Sequence, residues 1–128
     1  MIELPTIELL DDLKGMHLDW VADENIVVNN MTDSQQKDTQ HTIIQITETD
    51  DQGFTYGNNQ IKGLTAEVEM QIFWQLIPTV NVLLSEINLQ KQLITIGWKI
   101  ASSTGHVVDP VTQQLTKTIY LTKRIGDI

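Results

Sequence analysis

Two histidines and one aspartate are the residues of this sequence whose types suit a metal site. His106 and Asp109 stand three residues apart in a turn-like segment, and His41 opens a strand-like one. Two imidazoles and a carboxylate could bind a divalent cation. If the protein were an enzyme of this kind, the fold would have to bring all three side chains together. No Glu-x-x-His or His-x-x-x-His spacing supports convergence. The sequence therefore predicts exposed polar loop residues, with no metal and no cofactor.

The other residue types that could do chemistry are also poorly placed. The aspartate pairs at 11–12 and 50–51 are neighbours in sequence, and neighbours diverge on a helix or strand instead of sharing a proton. The serines at 102–103 lack the Gly-x-Ser-x-Gly setting of an activated nucleophile. The glycines follow no phosphate-binding spacing. We predict no catalytic residues and expect the protein not to be an enzyme.

The composition of the chain excludes or disfavours several other classes of protein. The chain has 128 residues, enough for one domain with its own core, and its lack of cysteine excludes disulfide scaffolds and thiolate metal sites. The net charge is −9, and residues 1–64 hold 12 acidic and 3 basic side chains against 5 and 5 in the rest. This acidity disfavours nucleic acid as the main ligand. The short apolar runs and acidic start predict neither a membrane span nor a signal peptide.

Hydrophobic periodicity and turn residues predict two helices and five strands in the order α-β-β-β-α-β-β. This order is typical of an α+β domain whose sheet is mainly antiparallel or mixed, with the helices packed on it. A polar segment, 31–40, is expected to be a loop or one helical turn. The predicted elements are a helix over 5–15, strands over 25–30, 41–49 and 64–75, a helix over 79–95 capped by Thr79, and strands over 97–103 and 114–124; a turn-rich connection spans 50–63.

The third strand is unusually long. Twelve residues from Leu64 alternate apolar and polar side chains, roughly twice the usual strand length. Part of this strand could leave the domain and pair with something else.

The second helix carries two apolar stripes on opposite sides. One stripe must face the sheet, and the other needs the first helix or a neighbouring subunit to cover it. We take the smaller stripe as a possible subunit interface. The larger stripe holds Leu76, Val80, Leu83, Leu84, Ile87 and Ile94, and the smaller one holds Val82, Leu89 and Leu93.

Three segments together carry a resemblance to a known group of proteins. They are Thr-Tyr-Gly-Asn-Asn at 55–59, Ile-Gly-Trp at 96–98, and the more specific Gly-His-x-x-Asp-Pro-x-Thr-x-Gln-Leu pattern that starts at Gly105. In this order and spacing the chain resembles small tail-region proteins of phages and prophages of Gram-positive bacteria, a family of unknown function compared with tail terminator, or tail completion, proteins. The resemblance covers residues 44–124.

The resemblance implies a structural virion protein with a tail-terminator-like α+β fold. Such a protein forms a ring, possibly a hexamer, that caps the tail tube and contributes to head–tail joining, with the tail tube protein and the head–tail connector as partners. It would assemble in the host bacterial cytoplasm and reside in the virion tail. Two alternatives stay open: another head–tail connector or minor tail protein, and a non-viral α+β module that binds a small ligand or peptide, with the loop around Phe54 and Tyr56 as a lid.

Overall fold

The computed structural model describes residues 3–49 and 53–126, and within them it confirms the predicted α+β class. Three α-helices, one 3₁₀ turn and seven strands follow one another in these residues, so the expected two helices and five strands were too few. The elements are α1 (Pro5–Gly15), the 3₁₀ turn (Asp23–Asn25), β1 (Ile26–Val28), α2 (Asp33–Lys37), β2 (Ile43–Glu48), β3 (Gly53–Gly57), β4 (Gln60–Phe73), α3 (Val82–Thr95), β5 (Lys99–Ser103), β6 (Val107–Val108) and β7 (Leu115–Gly126).

The additional elements arise in segments that the sequence analysis treated as turns. β3 forms a hairpin with the start of β4, and its two-residue turn, Asn58 and Asn59, has positive φ angles of 51° and 61°. Asparagine tolerates this backbone region, which two-residue hairpin turns require. α2 is the single helical turn allowed for at 31–40, and Thr32 and Gln35 close it with reciprocal capping hydrogen bonds.

The strands form one mixed sheet in the order β1-β2-β4-β7-β5. Among the described strands, only the β1–β2 pair is parallel. β4 and β7 pair with each other, which leaves each of them one further edge for pairing. β3 pairs with that edge of β4, and β6 pairs with that edge of β7. We call β3 together with residues 60–62 of β4 the arm of the sheet. The arm is therefore on the β2 side of β4, whereas β5 and β6 form the opposite edge of the sheet.

The alternation predicted for the long strand is confirmed and sets the two faces of the sheet. From Ala66 to Trp74 every second side chain of this segment is buried, and the register places Met70 between Ile46 and Ile119. This face carries both long helices: Leu9 and Leu13 of α1 and Leu89 and Leu93 of α3 have no exposed surface and join the same core. The strand begins at Gln60, earlier than predicted, because the β3 hairpin extends its pairing.

The start of α3 differs from the prediction. The helix begins at Val82, and the side chain of Asn81 caps it by accepting a hydrogen bond from the backbone N–H of Leu84 at 3.0 Å. Thr79 is therefore not the cap. Asparagine is at least as good an N-cap as threonine, and Val80 packs against the core from the segment before the helix.

Candidate interaction surfaces

The smaller stripe of α3 belongs to the core, which overturns its assignment as a subunit interface. Leu89 and Leu93 are fully buried, and Val82 is partly buried against the same cluster. The reason is the spacing of three or four residues along the helix: these residues lie on one line with Glu86, and this line faces the sheet. The larger apolar stripe stays mainly exposed, and of its members only Val80 packs against the core.

The exposed aliphatic side chains of α3 are called the helix patch here. Their exposed fractions lie between 40% and 59%, whereas large aliphatic side chains of the core are almost completely covered. At 100° per residue, three of the four lie within about 40° of one another. The helix patch consists of Leu83, Leu84, Ile87 and Ile94, and Ile96, which follows the helix, is 44% exposed.

The position of the helix patch follows from the contacts on either side of α3. Ser85 and Gln92 line a cleft together with residues 16–20, so this side of the helix faces the α1–β1 connection. Glu86, at the opposite margin of the buried line, contacts His106 from the β5–β6 connection. Around the helix axis, the order is the Ser85 and Gln92 side, then the buried line with Glu86 at its margin, and then the helix patch. It therefore faces outward above the β5 edge of the sheet.

Glu86 is the most deeply buried carboxylate of the described residues, at 1% exposed. One carboxylate oxygen accepts a hydrogen bond from the indole N–H of Trp74 at 2.8 Å, and the other contacts the imidazole Nε2 of His106 at 2.6 Å. The cluster joins α3, β4 and the β5–β6 connection. His106 was expected to be an exposed loop residue, but it is held against the helix.

The sequence contained a signal for this cluster. Glu86 interrupts the apolar line of Val82, Leu89 and Leu93, and a carboxylate on a core-facing line requires a buried donor. With that line assigned to a subunit interface, no buried partner for Glu86 is predicted from the sequence.

A second indole–carboxylate bond anchors the first helix. The indole N–H of Trp98 donates to the carboxylate of Asp12 at 2.8 Å. Beside it, Lys123 forms an ion pair with Glu8 at 2.7 Å, and its ammonium group lies 5.2 Å from the Trp98 ring centre. These contacts connect α1, the end of α3 and β7, and so fix both helices on one face of the sheet.

The three residues considered for a metal site have separate partners. His41 contacts the carboxylate of Asp38 at 2.8 Å, and His106 contacts Glu86. Asp109 accepts backbone hydrogen bonds from Val111 and Thr112, which closes the turn between β6 and β7. Across residues 3–49 and 53–126, no group of three histidine or acidic side chains is close enough to hold a metal ion.

Hydrogen bonding affects the acidity of Asp109. The backbone N–H groups of Thr112 and then Val111 stabilise its carboxylate and lower its pKa below the ordinary value of 3.8. The aspartate pair at 50–51 lies outside the described residues, and Asp11 and Asp12 lie on α1, where Asp12 serves the Trp98 bond.

The arm carries another exposed apolar group. It consists of β3 and residues 60–62 of β4; β3 pairs with residues 60–65 of β4, and the described pairing of β4 with β7 begins only at Gly63. Phe54 is 51% exposed, Tyr56 67% and Ile61 45%. The segment considered as a lid in the ligand-binding alternative forms a hairpin that extends the sheet and displays aromatic side chains.

The face of the sheet opposite the two long helices is polar. Thr118, Tyr120 and Thr122 of β7 lie opposite Gln71, Glu69 and Glu67 of β4. The negative charge of Glu69 raises the pKa of the Tyr120 hydroxyl. At one end α2 and the β6–β7 turn border a cleft of about 260 Å³ beside Phe73, lined mainly by amide and carboxylate side chains.

These features define a class of protein: an α+β domain with one covered sheet face, one mainly polar sheet face and separate exposed apolar groups, among them the helix patch and the arm. The chain belongs to the DUF806 family, described as a protein family of unknown function, whose model matches residues 4–126. The search of curated proteins found no match. None of the described helices is both long and apolar enough to cross a membrane.

Proposed function

We propose that this protein is a structural subunit of a phage tail, a tail terminator that assembles as a ring at the end of the tail tube and contributes to joining the tail to the head. The resemblance of its three sequence segments to phage tail-region proteins suggests the role. The observation that carries the assembly is the helix patch, an apolar surface on a regular and well-anchored helix.

The energetics of the helix patch favour a protein partner. Its four side chains and Ile96 expose roughly 450 Å² of apolar surface, a size often found at functional sites on monomers. Covering that area would contribute on the order of 10 kcal/mol before the costs of association. α3 itself is fixed by the Glu86 and Asp12 bonds at its two ends, so the patch is presented without a large ordering cost.

The segments that carry the resemblance support a structural role. Residues 55–59 form the tip of the arm, Gly97 ends α3 with a φ of 107°, and Asp109 closes the β6–β7 turn. Each position is explained by backbone geometry, since positive φ and turn capping restrict the residue types. The proposed partners are copies of this chain, the tail tube protein and the head–tail connector, with the virion tail as location.

The test of this role is binding to tail tubes of the same phage. Purified protein is mixed with tubes assembled from the tail tube protein, and the bound fraction is measured by sedimentation and located by electron microscopy. A terminator binds at tube ends only and stops further growth. Binding along the tube wall, or no binding together with recovery in the head–tail connector fraction, would instead indicate a minor tail protein or a connector.

A further inference from the structure

We propose that the contact between neighbouring copies joins the arm of one copy, with Phe54, Tyr56 and Ile61, to the helix patch of the next. This inference rests on the proposed function, because it specifies how the ring is built. The partner that binds the helix patch is then a second copy of this chain.

The first argument is the placement of the two apolar groups in one molecule. The arm is on the β2 side of β4, whereas α3 contacts β5 at the opposite edge. Three strand spacings, about 14 Å, separate β3 from β5, and the helix patch faces outward beyond that edge. The arm therefore cannot cover the patch of its own chain, but it can cover the patch of a neighbour placed beside it.

The second argument is the difference between the two groups. One is aromatic and projects from a hairpin, and the other is aliphatic and lies along a helix. Pairing two helix patches would bury roughly 450 Å² per copy, about half of what a stable interface needs, and would leave the arm aromatics exposed. A head-to-tail contact covers both groups and, when the rotation closes, generates a ring.

Cysteine cross-linking tests the contact directly, because the natural chain contains no cysteine. Tyr56→Cys protein is mixed with Ile87→Cys protein under mild oxidation, and the products are separated on a non-reducing gel. The proposal predicts that the mixed dimer dominates over either homodimer. The matched control is Asn88→Cys, which is exposed on the same helix but away from the patch, and should give at least tenfold less mixed dimer with Tyr56→Cys.

The double variant Tyr56→Cys/Ile87→Cys distinguishes the possible assemblies. A head-to-tail ring gives a ladder of linked species that ends at the ring size. A dominant Ile87→Cys homodimer would overturn the proposal in favour of patch-to-patch pairing. An oligomer by light scattering without the mixed cross-link, or a monomer at every concentration, would also overturn it.

Failure of this inference is distinguishable from failure of the proposed function. Binding to tail tube ends can be measured with the wild-type chain whatever contact joins the copies. Tube-end binding without the mixed cross-link rejects the arm-to-patch contact alone, whereas a mixed cross-link without tube binding rejects the tail terminator alone.

Discussion

At the scale of single residues, buried hydrogen bonds to carboxylates do most of the positioning in this protein. Glu86 and Asp12 each accept a bond from an indole N–H, and the two bonds fix α3 near its start and just beyond its end. An unpaired buried carboxylate or indole N–H costs more than the bond contributes when made. The geometry of the exposed helix patch thus depends on side chains that the patch does not include.

Replacing Glu86 tests this role. Glu86→Ala leaves the Trp74 indole N–H and the His106 imidazole without their partner, and we expect the free energy of unfolding in urea to fall by about 2 kcal/mol. Glu86→Gln is the matched control, since its amide oxygen can still accept from Trp74, and it should lose clearly less. Equal losses for the two variants would contradict this role of the Trp74 bond, because Glu86→Gln keeps both the side-chain volume and an acceptor for that indole N–H.

Asp109 gives a pH-dependent prediction. Its pKa is lowered in the folded protein by the backbone N–H groups of Thr112 and Val111, so its stabilising contribution is present above the ordinary pKa of 3.8 and is lost as the pH falls through the folded value. Asp109→Asn should therefore lower the melting temperature at about pH 6 and match the wild type at about pH 2. Asp19→Asn, at an exposed position, serves as the control. A difference independent of pH would contradict the assignment.

At the scale of elements, the sequence predicted the sheet better than it predicted what covers it. Alternation from Ala66 to Trp74 identified the central strand, and Pro5 and Gly15 marked the first helix. The β3 hairpin was missed because its turn uses Asn58 and Asn59 in place of the Asn-Gly or Asp-Gly pair that marks such turns most strongly.

The helix stripes could not be assigned from periodicity alone. Both stripes are apolar, and which one faces the sheet depends on how Trp74 and Trp98 fill the space beneath α3. The larger stripe is the mainly exposed one, so the number of apolar residues in a stripe does not indicate which stripe faces the sheet. Glu86 was the informative residue, because its buried donors lie on the side of the sheet.

Alanine substitutions test this assignment of α3. Leu89→Ala removes a fully buried side chain and should lower the free energy of unfolding by about 2–5 kcal/mol. Ile87→Ala, two residues earlier on the exposed side, should change it by less than about 0.5 kcal/mol. Urea denaturation of both variants gives the comparison. A larger loss for Ile87→Ala than for Leu89→Ala would show that the helix is rotated relative to this structure.

At the scale of the whole molecule, this protein has different surfaces on its different sides. The helices cover one face of the sheet, the other face is polar, and exposed apolar groups stand at opposite edges. The arm and the helix patch come from different halves of the sequence. A subunit of this kind suits a head-to-tail assembly better than an isologous dimer.

The central claim is that copies of this chain associate through the helix patch, and the most direct test is solution mass by light scattering over a wide concentration range. The account predicts that the wild type associates as concentration rises and approaches six times 14.5 kDa, about 87 kDa, for a closed hexamer. Ile87→Asp should remain a folded monomer, whereas Asn88→Asp should assemble like the wild type. A wild type that stays at 14.5 kDa throughout, or an Ile87→Asp variant that assembles equally well, would contradict the claim.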